Sequence, residues 1–277
     1  MNASEIAFGI EVETTLPNAD TTPIGPYHAG VQVPWLPTGW KAERDGSINP
    51  TVPNHKGCEF ISPVLKGAEG VAQVKAALEQ INARGARVNA SCGLHITVSW
   101  NGDAAALARL ISLIGNHEKA IYASTGTHKR EQARYAKQVK HYGNAAHAKT
   151  QCESDRYHLL NLTHLARGKN RIEIRAFAGT TNITKVLGHL MMVLGLVELA
   201  LNTKRCAAWD YVKREGTHSA WDRNGAGNGE IELNRLFYRL GWTKGHNDKV
   251  CGMIEGIDLD AVKNELRRLA RKYDAGN

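Results

Sequence analysis

The chain has 277 residues and is sparing with several residue types. Its five cysteines (Cys58, Cys92, Cys152, Cys206 and Cys251) contain no Cys-x-x-Cys pair. That excludes the usual spacing of a zinc ribbon or a dithiol redox motif and leads us to expect reduced thiols in an intracellular, cytoplasmic protein. Proline is absent after Pro63, since all eight prolines fall between Pro17 and Pro63. That early stretch is therefore expected to be rich in loops, and the remainder free to form regular elements. Aromatic residues make up only 6%. The start of the chain carries neither a basic run nor an apolar run, so no signal peptide is expected. The longest apolar stretch, Val186 to Leu201, is interrupted by His189 and Glu198. We expect a buried helix there rather than a membrane span. Disordered, collagen-like and coiled-coil chains are excluded by 42% hydrophobic and 22% charged residues without a heptad or triplet repeat.

What is present begins with charge. Lys and Arg number 35 against 27 Asp and Glu, a net +8, with a sequence pI near 9.3. Such a balance favours anionic partners such as nucleotide phosphates or nucleic acid without choosing among them. Segment 128–149 concentrates six Lys/Arg against the single Glu131. Within it Arg130 and Arg134 would lie one turn apart on a helix and are candidates to contact a nucleotide or a substrate carboxylate.

Helical spacing of Val71, Val74, Leu78 and Ile81 predicts a helix that Gly85 ends. A second is expected from Asp103 to Ser124, and a closing basic helix from Asp258 to Tyr273. Asn224–Gly229 has the composition of a flexible loop. Three segments alternate with period two. Phe8, Ile10 and Val12 alternate with Gly9, Glu11 and Glu13; Leu94, Ile96 and Val98 with His95, Thr97 and Ser99; Ile172, Ile174 and Ala176 with Arg171, Glu173, Arg175 and Phe177. Tyr157–Leu162 and the turn Arg167–Asn170 suggest a hairpin into the third. Helices lie between groups of strands without strict alternation. We therefore expect an α+β fold with a largely antiparallel sheet and helices packed on one face.

If these strands share a sheet, the face away from the helices gathers Glu11, Glu13, Glu59, His95, Glu173 and Arg175. A Glu-x-Glu on a strand also suits a solvated face, and a lone histidine a satisfied core position; the set is what carries information. Four carboxylates on one face repel unless a cation neutralises them. Oxygen-dominated ligands with one imidazole suit Mg²⁺ or Mn²⁺ better than Zn²⁺.

Five motifs occur in order: Phe8-Gly-Ile-Glu-Val-Glu13, Asp45-Gly-Ser47, Gly57-Cys-Glu-Phe-Ile-Ser-Pro63, Val88-Asn-Ala-Ser-Cys-Gly-Leu-His95 and Arg171-Ile-Glu-Ile-Arg-Ala-Phe-Ala-Gly-Thr180. Over roughly residues 6 to 200 the chain resembles the amidoligase family of the glutamine synthetase and glutamate–cysteine ligase superfamily of carboxylate–amine ligases. The resemblance implies a glutamine-synthetase-like catalytic domain, with a curved antiparallel sheet that binds ATP and Mg²⁺ or Mn²⁺. It implies a core at 1–201 and a mainly helical extension of the same domain at 202–277. It assigns Glu11, His95 and Glu173 to the ion bridging the ATP phosphates. Glu13 and Glu59, with Asp45, would hold the ion beside the acceptor carboxylate, and Arg175 would contact the γ-phosphate. Two positions depart from the family pattern: Thr97 stands where a second histidine is frequent, and Ile174 gives Glu-Ile-Arg in place of Glu-Phe-Arg.

The implied activity is ATP-dependent amide or isopeptide formation between a small-molecule or peptide carboxylate and an amine donor. A metal-dependent ATP phosphotransferase on the same fold and a non-catalytic nucleic-acid-binding protein are the alternatives. The second is supported by the +8 charge but leaves the carboxylates unexplained.

Overall fold

Period-two patterning over Phe8, Ile10 and Val12 does what it should: the three side chains are almost fully buried. In the computed structural model, which describes residues 1–204, 228–243 and 249–276, Phe8–Pro17 forms β1, a central strand. Val31–Gln32 (β2), Lys41–Glu43 (β3) and His55–Ile61 (β4) follow, then helix α1 (Gly67–Ala83) and β5 (Gly93–Ser99). Helices α2 (Ala104–Ala123) and α3 (Ala145–Ser154) lead to β6 (Leu160–Asn161), the one-turn α4 (Thr163–Ala166) and β7 (Arg171–Ala178). Helices α5 (Ile183–Asn202), α6 (Gly229–Arg239) and α7 (Leu259–Asp274) complete the described elements.

The strands form one seven-stranded sheet in the order β2-β3-β4-β1-β5-β7-β6, and every pairing is antiparallel. The expected α+β architecture is therefore present. Helix α1 ends as its sequence predicts, with Gly85 at φ +74° just beyond Arg84. The second helix also keeps its expected bounds, because the Asp103 carboxylate accepts the Ala106 N–H at 2.7 Å as a cap. Helices α2 and α5 lie against β7 and β5 on the apolar face, and α6 and α7 pack on α2 and α5.

Several expectations are corrected. Helix α5 is buried as expected, but its 20 residues and mean hydropathy of 1.6 are enough by length and composition to cross a membrane; 83% of that stretch is buried inside the protein. The proline-containing segment is not all loop: it holds the edge strand β2 and its neighbour β3, both short enough to fit between prolines. The expected hairpin between β6 and β7 contains α4 in its connection. Segment 128–149 is not one helix. Residues 128–139 are a series of turns, and only Ala145–Ser154 is α-helical, so Arg130 and Arg134 do not share a helical face. Asn224–Gly229 lies largely outside the described residues; its last two members cap and open α6.

Phe177 also departs from simple alternation. Leu94 pairs with Phe177 and Ile96 with Ile174, so two steps along β5 match three along β7. The extra residue is a β-bulge opposite His95. It turns Phe177 to the helix side, where its ring stacks on His189 of α5 at 4.1 Å.

Candidate active site

Register brings the polar residues together. Glu13 of β1 stands opposite Glu59 of β4, and Glu59 opposite Glu43 of β3. On the other side of β1, Glu11 stands opposite His95 of β5. Glu173 of β7 pairs with Thr97 and with Asn161 of β6. One sheet face thus carries five glutamates around one imidazole. Above them opens a cavity of about 580 Å³ lined by Glu11, Glu43, Asp45, Glu59, His95 and Glu173 on its floor and by Arg156, Arg167, Arg171 and Arg175 at its edge.

His95 is the hub. Its Nδ1 lies 3.3 Å from Glu11 Oε2 and 3.7 Å from Glu173 Oε1, and its Nε2 lies 3.6 Å from Glu13 Oε1. Burial, assisted by the Arg175 guanidinium, pushes the imidazole down to about 4, so the ring is neutral at physiological pH and one nitrogen carries a lone pair. Glu13 is 4% exposed, and its Oε2 accepts the Gly93 N–H at 2.6 Å. A Cβ at Gly93 would lie 2.9 Å from His95 Nε2, so glycine is required for the strand to approach this closely. Asp45 takes its place through a local turn, its Oδ1 accepting the Ser47 N–H at 2.6 Å.

The floor holds more negative charge than its surroundings balance. Burial first, then the neighbouring Glu11, Glu13, Asp45 and Glu43, raises Glu59 to about 9. Burial likewise raises Glu11, although Arg175 opposes the shift. With no cation on the floor, Glu59 therefore keeps its proton at neutral pH.

Two groups offer ligand atoms within 4.8 Å of one another: Glu11, Glu59 and His95, and Glu13, Asp45 and Glu59. Glu59 belongs to both. Carboxylate oxygens with one neutral imidazole fit a hard divalent cation such as Mg²⁺ or Mn²⁺, and the proton on Glu59 marks the charge that such a cation would replace. Glu173 is placed differently from the other expected ligands. Its Oε1 accepts from Arg175 Nη1 and its Oε2 from Asn161 Nδ2, both at 2.6 Å, so both oxygens already have partners beside His95.

Arg175 lines the cavity at 8% exposure, and its Nε has no hydrogen-bond partner. Arg130 is buried behind the floor rather than facing the cavity. Its Nη2 donates to the Arg175 carbonyl at 2.7 Å and its Nε to the Ala176 carbonyl at 3.4 Å, serving the two carbonyls of the bulge. Arg134 is exposed, stacks over Tyr135 at 4.8 Å and does not line the cavity. Cys92 is buried and its thiol is raised by burial, which suits a packing residue rather than a nucleophile.

Sequence reasoning missed Glu43, Asn161 and Arg156. Glu43 stands in a three-residue strand among prolines, where alternation is too short to recognise. Its Oε1 accepts the His28 N–H at 3.2 Å and so anchors the loop that brings Tyr27 to the mouth. Tyr27 Oη lies 3.3 Å from Arg156 Nη2, on the facing wall.

A family model described as "Putative amidoligase enzyme" matches residues 4–151, just over half of the chain. The chain belongs to this amidoligase family. The match takes in β1 to α3, and with them Glu11, Glu13, Glu43, Asp45, Glu59 and His95. It stops short of β7, so Glu173 and Arg175 join the site on structural grounds alone. No curated protein matches the chain.

Proposed function

We propose that this amidoligase-family chain is an ATP-dependent carboxylate–amine ligase with a glutamine-synthetase-like catalytic domain. The observation that carries the reading is the shared floor: Glu59 belongs to two ligand groups while Arg175 stands at the edge of the same cavity. Glu11, Glu59 and His95 would hold one Mg²⁺ or Mn²⁺, and Glu13, Asp45 and Glu59 a second. Such ions supply charge neutralisation for the phosphates and for the attacking carboxylate.

The remaining work falls to the chain. Glu173 and the bulge fix the Arg175 guanidinium, which presents a cation to the transferring phosphoryl group. The substrate carboxylate attacks the γ-phosphorus, the bond to the ADP oxygen breaks, and an acyl phosphate and ADP result. The amine attacks the acyl carbon, phosphate leaves, and the nitrogen loses a proton. His95, neutral and held between carboxylates, keeps the floor from acquiring a fixed positive charge where a cation belongs.

The test is to incubate the protein with ATP, Mg²⁺ and pools of carboxylates and amines, following ADP and amide by mass spectrometry. ADP with stoichiometric amide supports ligation. ADP with a phosphorylated product and no amide would replace it by phosphotransfer. Steeply salt-dependent DNA binding without nucleotide turnover would favour the nucleic-acid reading.

A further inference from the structure

A second concavity of about 330 Å³ adjoins the cavity and shares Glu11, Ile61, His164 and Arg171 with it. It runs along the same face of the sheet, from Glu11 back toward Ala7. Its floor is made of small residues. Gly9 stands opposite Thr97, and Ser99 opposite Arg171. One bank is Ile61, Pro63 and Val64, the last 83% exposed. The strand repeat sets the length: four residues of β1 extend the floor by about 13 Å, the span of roughly four residues of extended peptide.

The two concavities differ in chemistry. The cavity floor is acidic, whereas the trough beyond Glu11 has no carboxylate of its own: Ile61, Pro63 and Val64 bank one side, and Thr97, Ser99, His164, Asn170 and Arg171 supply neutral or basic polar groups. Where they meet, the exposed Arg171 has His164 Nδ1 as its one side-chain partner among the described residues, at 3.4 Å. An anionic group leaving the trough for the floor would pass this guanidinium.

We infer that the trough binds the tail of the carboxylate substrate, and that this substrate is a short peptide with a free C-terminal carboxylate and small, uncharged side chains in its last three or four residues. The inference rests on the ligase reading, since it places the carboxylate over the Glu11–Glu59 floor. A trough floored by Gly9, Thr97 and Ser99 and without a carboxylate of its own suits small, uncharged side chains, and its length exceeds what a free amino acid fills. Arg171 at the junction matches a carboxylate rather than an amine.

Gly9 allows a direct test. Its φ is not in the left-handed region, and an added Cβ would meet only Ser62 Oγ at 3.6 Å and the Pro63 carbonyl at 3.9 Å, ordinary contacts. Gly9→Val therefore adds bulk at the trough floor from a position whose Cβ meets only ordinary contacts, and Val64→Glu places a charge on its exposed bank. The probes are N-terminally labelled tetra-alanine as the free acid, the same peptide as its C-terminal amide, and unlabelled alanine as competitor. Binding is read by fluorescence anisotropy with Mg²⁺ and a non-hydrolysable ATP analogue present; analogue binding is measured on the same samples by calorimetry.

The expected result is that the free acid binds, that the amide and Gly9→Val each weaken binding at least tenfold, that Val64→Glu weakens it measurably, and that alanine does not compete. Analogue binding should be the same in the wild type and both variants. Analogue binding without peptide binding overturns the trough while leaving the ligase reading standing. Equal binding of acid and amide, or no effect of Gly9→Val, also overturns it. Loss of analogue binding by the folded wild type removes the ligase reading and the trough assignment with it.

Discussion

Glu59→Gln should make the cation-free protein more stable and at the same time abolish its response to divalent cations. The first half follows from linkage. Glu59 is raised from 4.5 to about 9, so between those values the folded state holds a proton that the unfolded state has released. Stability of the cation-free protein therefore falls as pH rises from about 4.5 to 9. A shift of that size corresponds to a ceiling of about 6 kcal/mol at about 1.4 kcal/mol per unit. Because Glu11, Glu13, Asp45 and Glu43 share the strain, one amide should recover on the order of 2 kcal/mol at pH 8.5. For a chain of this size that is a rise in Tm of about 4–8 °C. The second half follows from Glu59's membership of both ligand groups. In the wild type, Mn²⁺ must displace the Glu59 proton, so its apparent affinity should climb about tenfold per pH unit between 6.5 and 8.5. Differential scanning fluorimetry of both proteins with EDTA and with Mn²⁺, at three pH values, reads both effects. A variant less stable than wild type in EDTA at pH 8.5, or one retaining the Mn²⁺ shift, would refute the placement of Glu59.

Three further outcomes are expected. Arg130→Met leaves the Arg175 and Ala176 carbonyls buried without their donor, which should cost about 3 kcal/mol in urea melts; an unchanged midpoint would show that the bulge does not depend on Arg130. Glu173→Gln and Glu13→Gln should keep the far-ultraviolet circular dichroism of the wild type and lose turnover, and a variant that remains active would remove that residue from the site. Cys92→Ser should retain activity, because the thiol is buried and raised; a folded but inactive protein would reveal thiol chemistry at the rim of the floor.

Much of this was legible because alternation is a strong signal in half-buried strands. β1, β5 and β7 each carry it, and once they pair, Glu11, Glu13, His95 and Glu173 must share a face. Helix α2 was legible to the residue because Asp103 is both a good cap and the last polar residue before an apolar run. What escaped was set by pairing rather than pattern. The β7 bulge moves Phe177 across the sheet, and no feature of Arg171–Ala178 announces it. Glu43 depends on a three-residue strand whose partner lies twelve or more residues away. Arg130 looked like a nucleotide contact because it sits in a basic segment, at helical spacing from Arg134; its burial behind Gly93 and its two carbonyl partners give it a supporting place instead. Helix α5 was expected to be buried and is, although its length and composition would also suit a span; the packing around it decides.

The acidic floor should become a nucleotide site only with divalent cations. Isothermal titration of ATP into wild type and Glu13→Gln, each with Mg²⁺ and with EDTA, tests it without knowledge of either substrate. Binding is expected for the wild type with Mg²⁺, at least tenfold weaker binding for Glu13→Gln, and none in EDTA. Equal binding with and without the cation, or no binding by the folded wild type, would contradict it.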